Sequence, residues 1–389
     1  MPNLRTMVTE LGTALGMLGH DDVDLAIASR SPVMRSLSPE DWDQLQVVRS
    51  GGAYNADFHA AWANGQAFLA ARDGLRGRRP EIVEWKGSIR AAGDEVAPVD
   101  LRIDHVYLVS CKYLSNILFN VSPTHLFDSL LVGGTGRRGK GAGGDWYAEL
   151  APAEYQHLYE AVRAAVLDGG EGGGVAPLPM DVARRAGGDR SPALPGLEPG
   201  AASAPAAARV ATHSAATLRE LPHRAVDLTP AHRSALGNRL KAGWPGRTKE
   251  AYGALSGTVA RQSAGRWHQA LSAGPGAGEA MLWRLLRMGS APYFVLGSSA
   301  TQSLRLRIAT PWDWRQQYAL GALEVFAQDG GQPRVGWRAS VRERASGTVV
   351  DLAGHVEVRW SHGRFGGLPE AKGYLDTPHH LVPGYFALQ

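Results

Sequence analysis

The sequence predicts an N-terminal α/β domain, with a mixed sheet flanked by helices, and a C-terminal α+β domain with an antiparallel sheet. Three observations lead to this fold class. The chain has 389 residues, more than one ordinary domain contains. A segment rich in Gly, Pro and Ala, without hydrophobic periodicity, interrupts it at 168–209. Helical and strand patterns mix before this linker, whereas helical segments precede strand segments after it. We therefore predict a first domain over 1–167 and a second, which recognises DNA or another partner, over 210–389.

Helices and one strand are predicted on either side of residues 98–115, the central segment of the first domain. Apolar residues recur every three or four positions in the helical segments. Ser38, followed by Pro39 and two acids, is typical of a helix start. The run EIVEW at 81–85 alternates as a strand does. We expect helices at 4–20, after Ser38, at 56–75 and at 151–167.

Residues 98–115, PVDLRIDHVYLVSCKYLS, predict a β-hairpin around which this domain is organised. Apolar and polar residues alternate on both sides of Asp104 and His105, which we expect to form the turn. Side chains two positions apart share one face of a strand, so Ser110 and Lys112 are expected on the same face. The hairpin thereby brings the carboxylate of Asp100 close to a lysine.

An acid and a lysine on neighbouring strands suit metal-dependent hydrolysis of a phosphodiester. Mg²⁺ takes oxygen ligands, including one or two carboxylates, and a lysine can orient water or stabilise the charged phosphorus centre. Asp100 is the first candidate ligand, and Glu84 on the preceding strand is the second. The backbone carbonyl of Cys111 can add a third oxygen. Lys112 is the candidate cation, and Ser110 would assist through water.

The order Glu84, Asp100, Ser110-Cys111-Lys112 and then a helix resembles the core of the PD-(D/E)xK nuclease superfamily. The hairpin is similar to that of restriction-endonuclease-like and RecB-like nucleases, and the resemblance covers roughly residues 55–165. It implies a restriction-endonuclease-like fold, a Mg²⁺ or Mn²⁺ cofactor and DNA endonuclease activity. Many such nucleases serve in restriction or anti-phage defence, and a role in DNA repair is the alternative.

Three positions depart from the family pattern. Val99 separates Pro98 from Asp100, so the family's adjacent pair is split. Ser110 stands where the family has an acid, and a neutral ligand leaves Glu84 as the more important source of negative charge. RecB-like members carry a glutamine and a tyrosine four positions apart on a later helix, whereas Gln156 and Tyr159 are three apart. Asp104 competes with Asp100 for the acidic role, but its position is that of a turn residue.

Other segments suggest contacts with DNA. The glycine loop GGTGRRGKGAGG at 133–144 carries Arg137, Arg138 and Lys140, which could contact phosphates or simply face solvent. The run KEAYGALSGTVARQSAGRWHQAL, with Gly257 near its middle, has the length of a helix-turn-helix; two helices of a bundle explain it equally well. A non-catalytic nucleic-acid-binding module, or a scaffold subunit of a defence or DNA-repair complex, is therefore the alternative to an enzyme.

Composition and the absence of certain motifs exclude several classes of protein and of site. The net charge of +4 is compatible with a polyanionic partner without being diagnostic. A single cysteine, Cys111, excludes an intrachain disulfide framework and a cysteine-rich zinc site. No apolar run reaches the roughly 18–20 residues that span a membrane, so we expect a cytoplasmic protein. The sequence has no P-loop, so an ATP-driven step would need a helicase or ATPase partner.

Overall fold

Two β-sheets with helices packed against them make up the fold. The structure is a computed structural model that describes residues 4–87, 99–113, 117–131, 144–168, 216–246, 248–298 and 303–389. The first sheet is mixed and has seven strands, and the second is antiparallel and has five strands. The predicted fold class is confirmed: an α/β arrangement forms in the N-terminal part and an antiparallel sheet in the C-terminal part.

Four helices begin the chain, and local sequence signals explain their ends. Ser38 accepts a hydrogen bond from the backbone N–H of Asp41, whose carboxylate accepts one from the Ser38 N–H, and Pro39 opens this helix. Such a capping box satisfies N–H groups that have no partner within the helix. Asp22 caps another of the four by accepting from Leu25 N. The helices are α1 (Leu4–Gly16), α2 (Val23–Ser29), α3 (Pro39–Ser50) and α4 (Asn55–Ala70).

The seven-stranded sheet has its candidate hairpin near the middle. The order along the sheet is β1, β2, β3, β4, β6, β7, β12. The pairs β1–β2 and β4–β6 are parallel, and the other four are antiparallel. These strands are β1 (Met34–Arg35), β2 (Val83–Trp85), β3 (Leu101–Ile103), β4 (Tyr107–Lys112), β6 (Tyr293–Ser298), β7 (Ser303–Ile308) and β12 (Tyr385–Ala387).

The five-stranded sheet runs in the order β5, β11, β10, β9, β8, with every pair antiparallel. Its strands are β5 (Ile117–Val121), β8 (Tyr318–Gln328), β9 (Arg334–Glu343), β10 (Val349–Trp360) and β11 (Pro369–Leu375). The remaining helices are α5 (Pro123–His125, continued by a π-helical turn over Leu126–Leu130), α6 (Trp146–Leu150), α7 (Pro152–Asp168), α8 (Pro230–Arg239), α9 (Thr248–Leu271), α10 (Ala277–Leu285) and α11 (Pro311–Gln317). Two 3-10 turns lie at Ala225–Asp227 and His379–Leu381, and residues 216–219 are also helical.

Each sheet takes strands from both sides of the predicted linker. β5, which precedes the linker, pairs with β11 of the second sheet. Conversely β6, β7 and β12, which follow it, complete the first sheet. Apart from Asp168, the linker at 168–209 lies outside the described residues, so its role as a boundary stays a prediction. The two halves of the chain are joined by sheet hydrogen bonds.

The predicted break near Gly257 is wrong, because α9 is one continuous helix of 24 residues. Its buried residues Tyr252, Leu255, Val259 and Trp267 recur at helical spacing along one side. A continuous buried stripe stabilises the helix enough to outweigh the cost of an internal glycine, about 1 kcal/mol. Within the described residues, no helix is long and apolar enough to cross a membrane.

The β3–β4 turn is held against β2 by Asp104. Asp104 and His105 adopt left-handed backbone conformations, with φ of 49° and 59°, which confirms the predicted turn. The Asp104 carboxylate accepts hydrogen bonds from Glu81 N (2.8 Å) and Ile82 N (3.0 Å), and it pairs with Arg78. Burial raises the pKa of this carboxyl, but the Arg78 contact and the two backbone N–H donors outweigh burial and lower it.

We predict that Asp104→Asn destabilises the protein by about 1–3 kcal/mol above pH 5, because charge-assisted bonds to two backbone N–H groups weaken. The folded-state pKa is depressed, so this contribution exists above the unfolded-state pKa and is lost as pH falls through the folded value. Urea unfolding at several pH values measures it, and the difference from wild type should shrink below about pH 4. Asp43→Asn, at an exposed pair with Arg30, is the control and should change stability little. A difference between Asp104→Asn and wild type that is constant with pH would contradict this account.

Candidate functional site

The hairpin places three of the predicted residues on one face of the first sheet. Ser110 lies opposite Val295 and Lys112 opposite Gly297 in the parallel β4–β6 pair. Leu101 pairs with Val109, so Asp100 lies beside Ser110 at the start of β3. Residues two apart in a strand share a face, which puts Asp100, Ser110 and Lys112 together on the side of the sheet that packs toward the second sheet.

The Asp100 carboxylate is fixed by two donors on β4. Its Oδ2 accepts a hydrogen bond from the backbone N–H of Cys111 (2.7 Å) and another from Ser110 Oγ (3.1 Å). Ser110 is only 1% exposed, so its hydroxyl lies inside the protein, and Cys111 is half-buried. The side chain thus closes the end of the β3–β4 pair where backbone pairing stops. Ser110, which stands where the PD-(D/E)xK pattern has an acid, serves here as a hydrogen-bond donor to the Asp100 carboxylate.

Cys111 contributes only backbone atoms to this site. Its side chain lies on the opposite face of the sheet, where burial raises the pKa of the thiol well above its ordinary value and the Asp100 and Glu10 carboxylates raise it further. The N–H and C=O of one strand residue point to the same strand edge. Because the Cys111 N–H donates to Asp100, the Cys111 carbonyl also faces that edge. The predicted carbonyl ligand therefore lies on the Asp100 side of β4.

Glu84 shares the face but is turned away from Asp100. It pairs with Arg102 in the β2–β3 register, two residues after Asp100. Its Oε2 lies 3.5 Å from Nδ1 of His105 at the hairpin turn. The same oxygen is buried and accepts no hydrogen bond among the described residues. A buried carboxylate oxygen without a donor is a position that a cation would stabilise.

Lys112 borders a small cavity between the first sheet and the segment near the C-terminus. The cavity has a volume of about 20 Å³, room for one water molecule and too little for a phosphate group. Basic and phenolic side chains from distant parts of the chain line it beside Lys112: Arg287, Tyr293, His379 and Tyr385. A phosphodiester would therefore have to reach Asp100 and Lys112 from the edge of the hairpin.

Arg287 is the charged neighbour of Lys112 in this lining, whereas the pKa shifts of His379 and Tyr293 favour their neutral forms. Burial lowers the pKa of His379, and the positive charges of Lys112 and His380 lower it further. Burial raises the pKa of Tyr293, against the opposing effects of Arg287 and of a hydrogen bond with Ser110. His379 is therefore neutral at pH 7, and Tyr293 keeps its proton.

The donor set fits a divalent cation in part. Asp100 and the Cys111 carbonyl share one strand edge, and Glu84 contributes a carboxylate oxygen that lacks a donor. Oxygen donors of this kind are what Mg²⁺ and Mn²⁺ prefer. In the part of the chain that the structure describes, no group of three or more His, Cys, Asp or Glu side chains is placed to hold a metal. Any ion here would take much of its coordination from water or substrate.

Other predicted residues lie elsewhere. Arg137, Arg138 and Lys140 fall outside the described residues. Gln156 donates to the His223 carbonyl (2.9 Å) and accepts from Ala225 N (2.9 Å), so it anchors the segment that follows the linker.

Tyr159 has a similar role, because its hydroxyl donates to the Pro222 carbonyl (2.6 Å). Sequence reasoning did not connect Tyr293, Arg287 and His379 with the hairpin, since no local motif links residues that follow Lys112 by 175 to 267 positions. No family model matches the chain, and neither does any curated protein or solved structure.

We predict that Asp100→Ala lowers the free energy of unfolding by about 2–4 kcal/mol, because Cys111 N–H and Ser110 Oγ lose their acceptor. Asp100→Asn keeps an oxygen acceptor and should cost less than about 1 kcal/mol. Urea unfolding of the two variants makes the comparison, with Ser110→Ala as a control that removes one donor only. Equal losses for the Ala and Asn variants would show that charge, not hydrogen bonding, fixes this carboxylate.

Proposed function

We propose that the protein is a metal-dependent DNA endonuclease that acts in the cytoplasm and hydrolyses phosphodiester bonds. One observation carries the proposal: Asp100, with its carboxylate held by β4, lies on the same sheet face as Lys112. The resemblance to PD-(D/E)xK nucleases points the same way and suggests a role in restriction or anti-phage defence. A helicase or ATPase partner would supply any ATP-driven step.

Each residue has a distinct role under this proposal. Asp100 and the Cys111 carbonyl hold Mg²⁺ or Mn²⁺, and Glu84 adds negative charge. The metal supplies charge neutralisation at the phosphate and a more acidic water. Lys112 orients the attacking water or stabilises the charge that develops on the phosphate. Ser110 holds Asp100 in place by donating a hydrogen bond to it. Arg137, Arg138 and Lys140 are proposed to contact DNA phosphates.

A second candidate is a non-catalytic nucleic-acid-binding or scaffold subunit. It is favoured by the two hydrogen bonds that already occupy Asp100 Oδ2 and by the orientation of Glu84 toward His105. In that case the hairpin keeps a structural role, and a partner protein would carry the nuclease activity. The two candidates differ in whether the isolated chain cleaves DNA.

The test is cleavage of supercoiled plasmid by the full chain with Mg²⁺ or Mn²⁺. We expect nicking that is abolished by EDTA and reduced at least about 100-fold by Asp100→Asn, which keeps the hydrogen bonds but removes the charge. Lys112→Met should have a similar effect, because it removes the cation while keeping most of the side-chain volume.

Matched controls are Asp351→Asn and Lys249→Met, at exposed positions on β10 and α9. Both should retain wild-type cleavage. If wild type and all variants are equally inert while DNA is still retarded on a gel, the endonuclease proposal fails and the non-catalytic candidate stands. Equal cleavage by wild type and the two site variants would point to a contaminating nuclease and would also contradict the proposal.

A further inference from the structure

We propose that a pocket at one end of the second sheet binds a nucleotide, with its aromatic ring among Trp244, Tyr252 and Trp360 and its phosphate at Arg359 and Arg364. The pocket has a volume of about 320 Å³, at the lower end of the roughly 300–1,000 Å³ of small-molecule sites. It lies among the α8–α9 connection, the turn before β9 and the end of β10. None of its residues belongs to the hairpin site.

Three packed aromatic rings form one wall of the pocket, and one of them, Trp244, is only half-buried. Tyr252 stacks on Trp244 with ring centroids 4.6 Å apart and lies 5.9 Å from Trp360. Tyr252 and Trp360 are buried, whereas Trp244 is half-buried and lines the opening. Tyr252 stacks between Trp244 and Trp360, and Trp360 also stacks on Phe365, so these two rings offer a ligand edge contacts only. The half-buried Trp244 is the ring of this wall that can contact a planar ligand more extensively, without sequence preference.

Two arginines give the pocket its charge. The Arg364 guanidinium lies 5.2 Å from the Trp244 ring centroid and donates to the Leu240 carbonyl (2.7 Å), which fixes it at the wall. Arg359 lies 3.7 Å from Glu370, but that carboxylate is shared with Lys372 Nζ at 3.0 Å. The carboxylate therefore neutralises Arg359 only in part. Guanidinium groups match the geometry of phosphate oxygens, so the ligand is expected to be an anion.

One buried donor and one buried acceptor of the wall lack partners. Neither Trp360 Nε1 nor Gln332 Oε1 has a hydrogen-bond partner among the described residues. Trp360 is 6% exposed, so its N–H cannot rely on bulk water, and a group left in this state is unfavourable. A nucleobase edge presents both acceptors and donors and can satisfy both atoms once the half-exposed Gln332 amide rotates.

Together these features select one ligand chemistry: a planar ring with hydrogen-bonding edges that carries a phosphate. Stacking alone would accept any aromatic molecule, and the arginines alone would accept any small anion. The ligand can come from two sources, a free mononucleotide or an unpaired nucleotide of a single strand. Base-paired DNA is not expected to enter, because its bases are already stacked and paired.

Binding is measured in EDTA, so that the result does not depend on whether the hairpin cleaves DNA. The probes are a fluorescein-labelled oligothymidylate of about 12 nucleotides, the same strand in a duplex, and thymidine and adenosine monophosphates as unlabelled ligands. Fluorescence anisotropy follows the oligonucleotides, and quenching of tryptophan fluorescence follows the mononucleotides. Thermal melting of every variant checks that it is folded.

We expect Trp244→Ala and Arg359→Gln each to weaken binding by about tenfold or more. Trp360→Phe keeps a ring but removes the indole N–H; it should weaken binding by at least about threefold. Its melting temperature is expected to fall, because the smaller ring leaves a cavity, and binding is therefore measured well below that temperature. Trp312→Ala on α11, at a residue that is 73% exposed, and Arg342→Gln on β9, at an exposed residue, are the matched controls and should bind as wild type does.

Oligonucleotide binding without mononucleotide binding identifies a single strand as the ligand, and binding of both identifies the nucleotide unit itself. Either result supports the site if the pocket variants are weakened. The inference is overturned if neither the single strand nor a mononucleotide binds, or if the folded pocket variants bind these probes as wild type does. Duplex binding that the pocket variants leave unchanged is assigned to the hairpin and does not bear on the pocket. Cleavage by the hairpin could still hold in each of those cases.

Discussion

The parallel pairing of β4 with β6 is the contact on which the candidate site depends. It joins the hairpin to a strand from the other half of the chain, and Gly297 makes the close approach possible. A Cβ at Gly297 would lie 1.9 Å from the Lys112 carbonyl oxygen, and its φ of 142° is one that other residues rarely adopt. This pairing places Tyr293 beside Ser110, and it places β6 alongside Lys112.

Asp100 has a structural role in the hairpin and is also the candidate metal ligand. Its carboxylate accepts from Ser110 and from the Cys111 N–H, so one side chain both completes the strand pair and presents a charge. An acid at position 110 would lie against Asp100 in a buried setting, and the two negative charges would disfavour each other without a metal. Serine removes that conflict and leaves Asp100 as the carboxylate that shares the sheet face with Lys112 at the end of the hairpin.

The local parts of this arrangement could be predicted, and the long-range parts could not. Alternation and turn residues placed the hairpin, and the pattern around Ser38 placed the start of α3, because such signals lie within a few residues. The partners of Lys112, Arg287 and His379 among them, come from distant segments, and only tertiary packing brings them there. Gly257 alone suggests a turn, whereas the buried stripe along α9 keeps this residue helical. The pairing of β5 with β11 and of β4 with β6, which joins the two halves of the chain, likewise has no local sequence signal.

The central claim is that Asp100 belongs to a cation site, and titration of the full chain with Mn²⁺, followed by electron paramagnetic resonance of the free ion, tests it directly. The account predicts one bound Mn²⁺ ion in the wild type and at least about tenfold weaker binding in Asp100→Asn, whose fold is retained. Glu84→Gln should weaken binding to a smaller extent, because Glu84 is turned toward His105. Equal Mn²⁺ binding by wild type and Asp100→Asn, or no binding by either, would contradict the account.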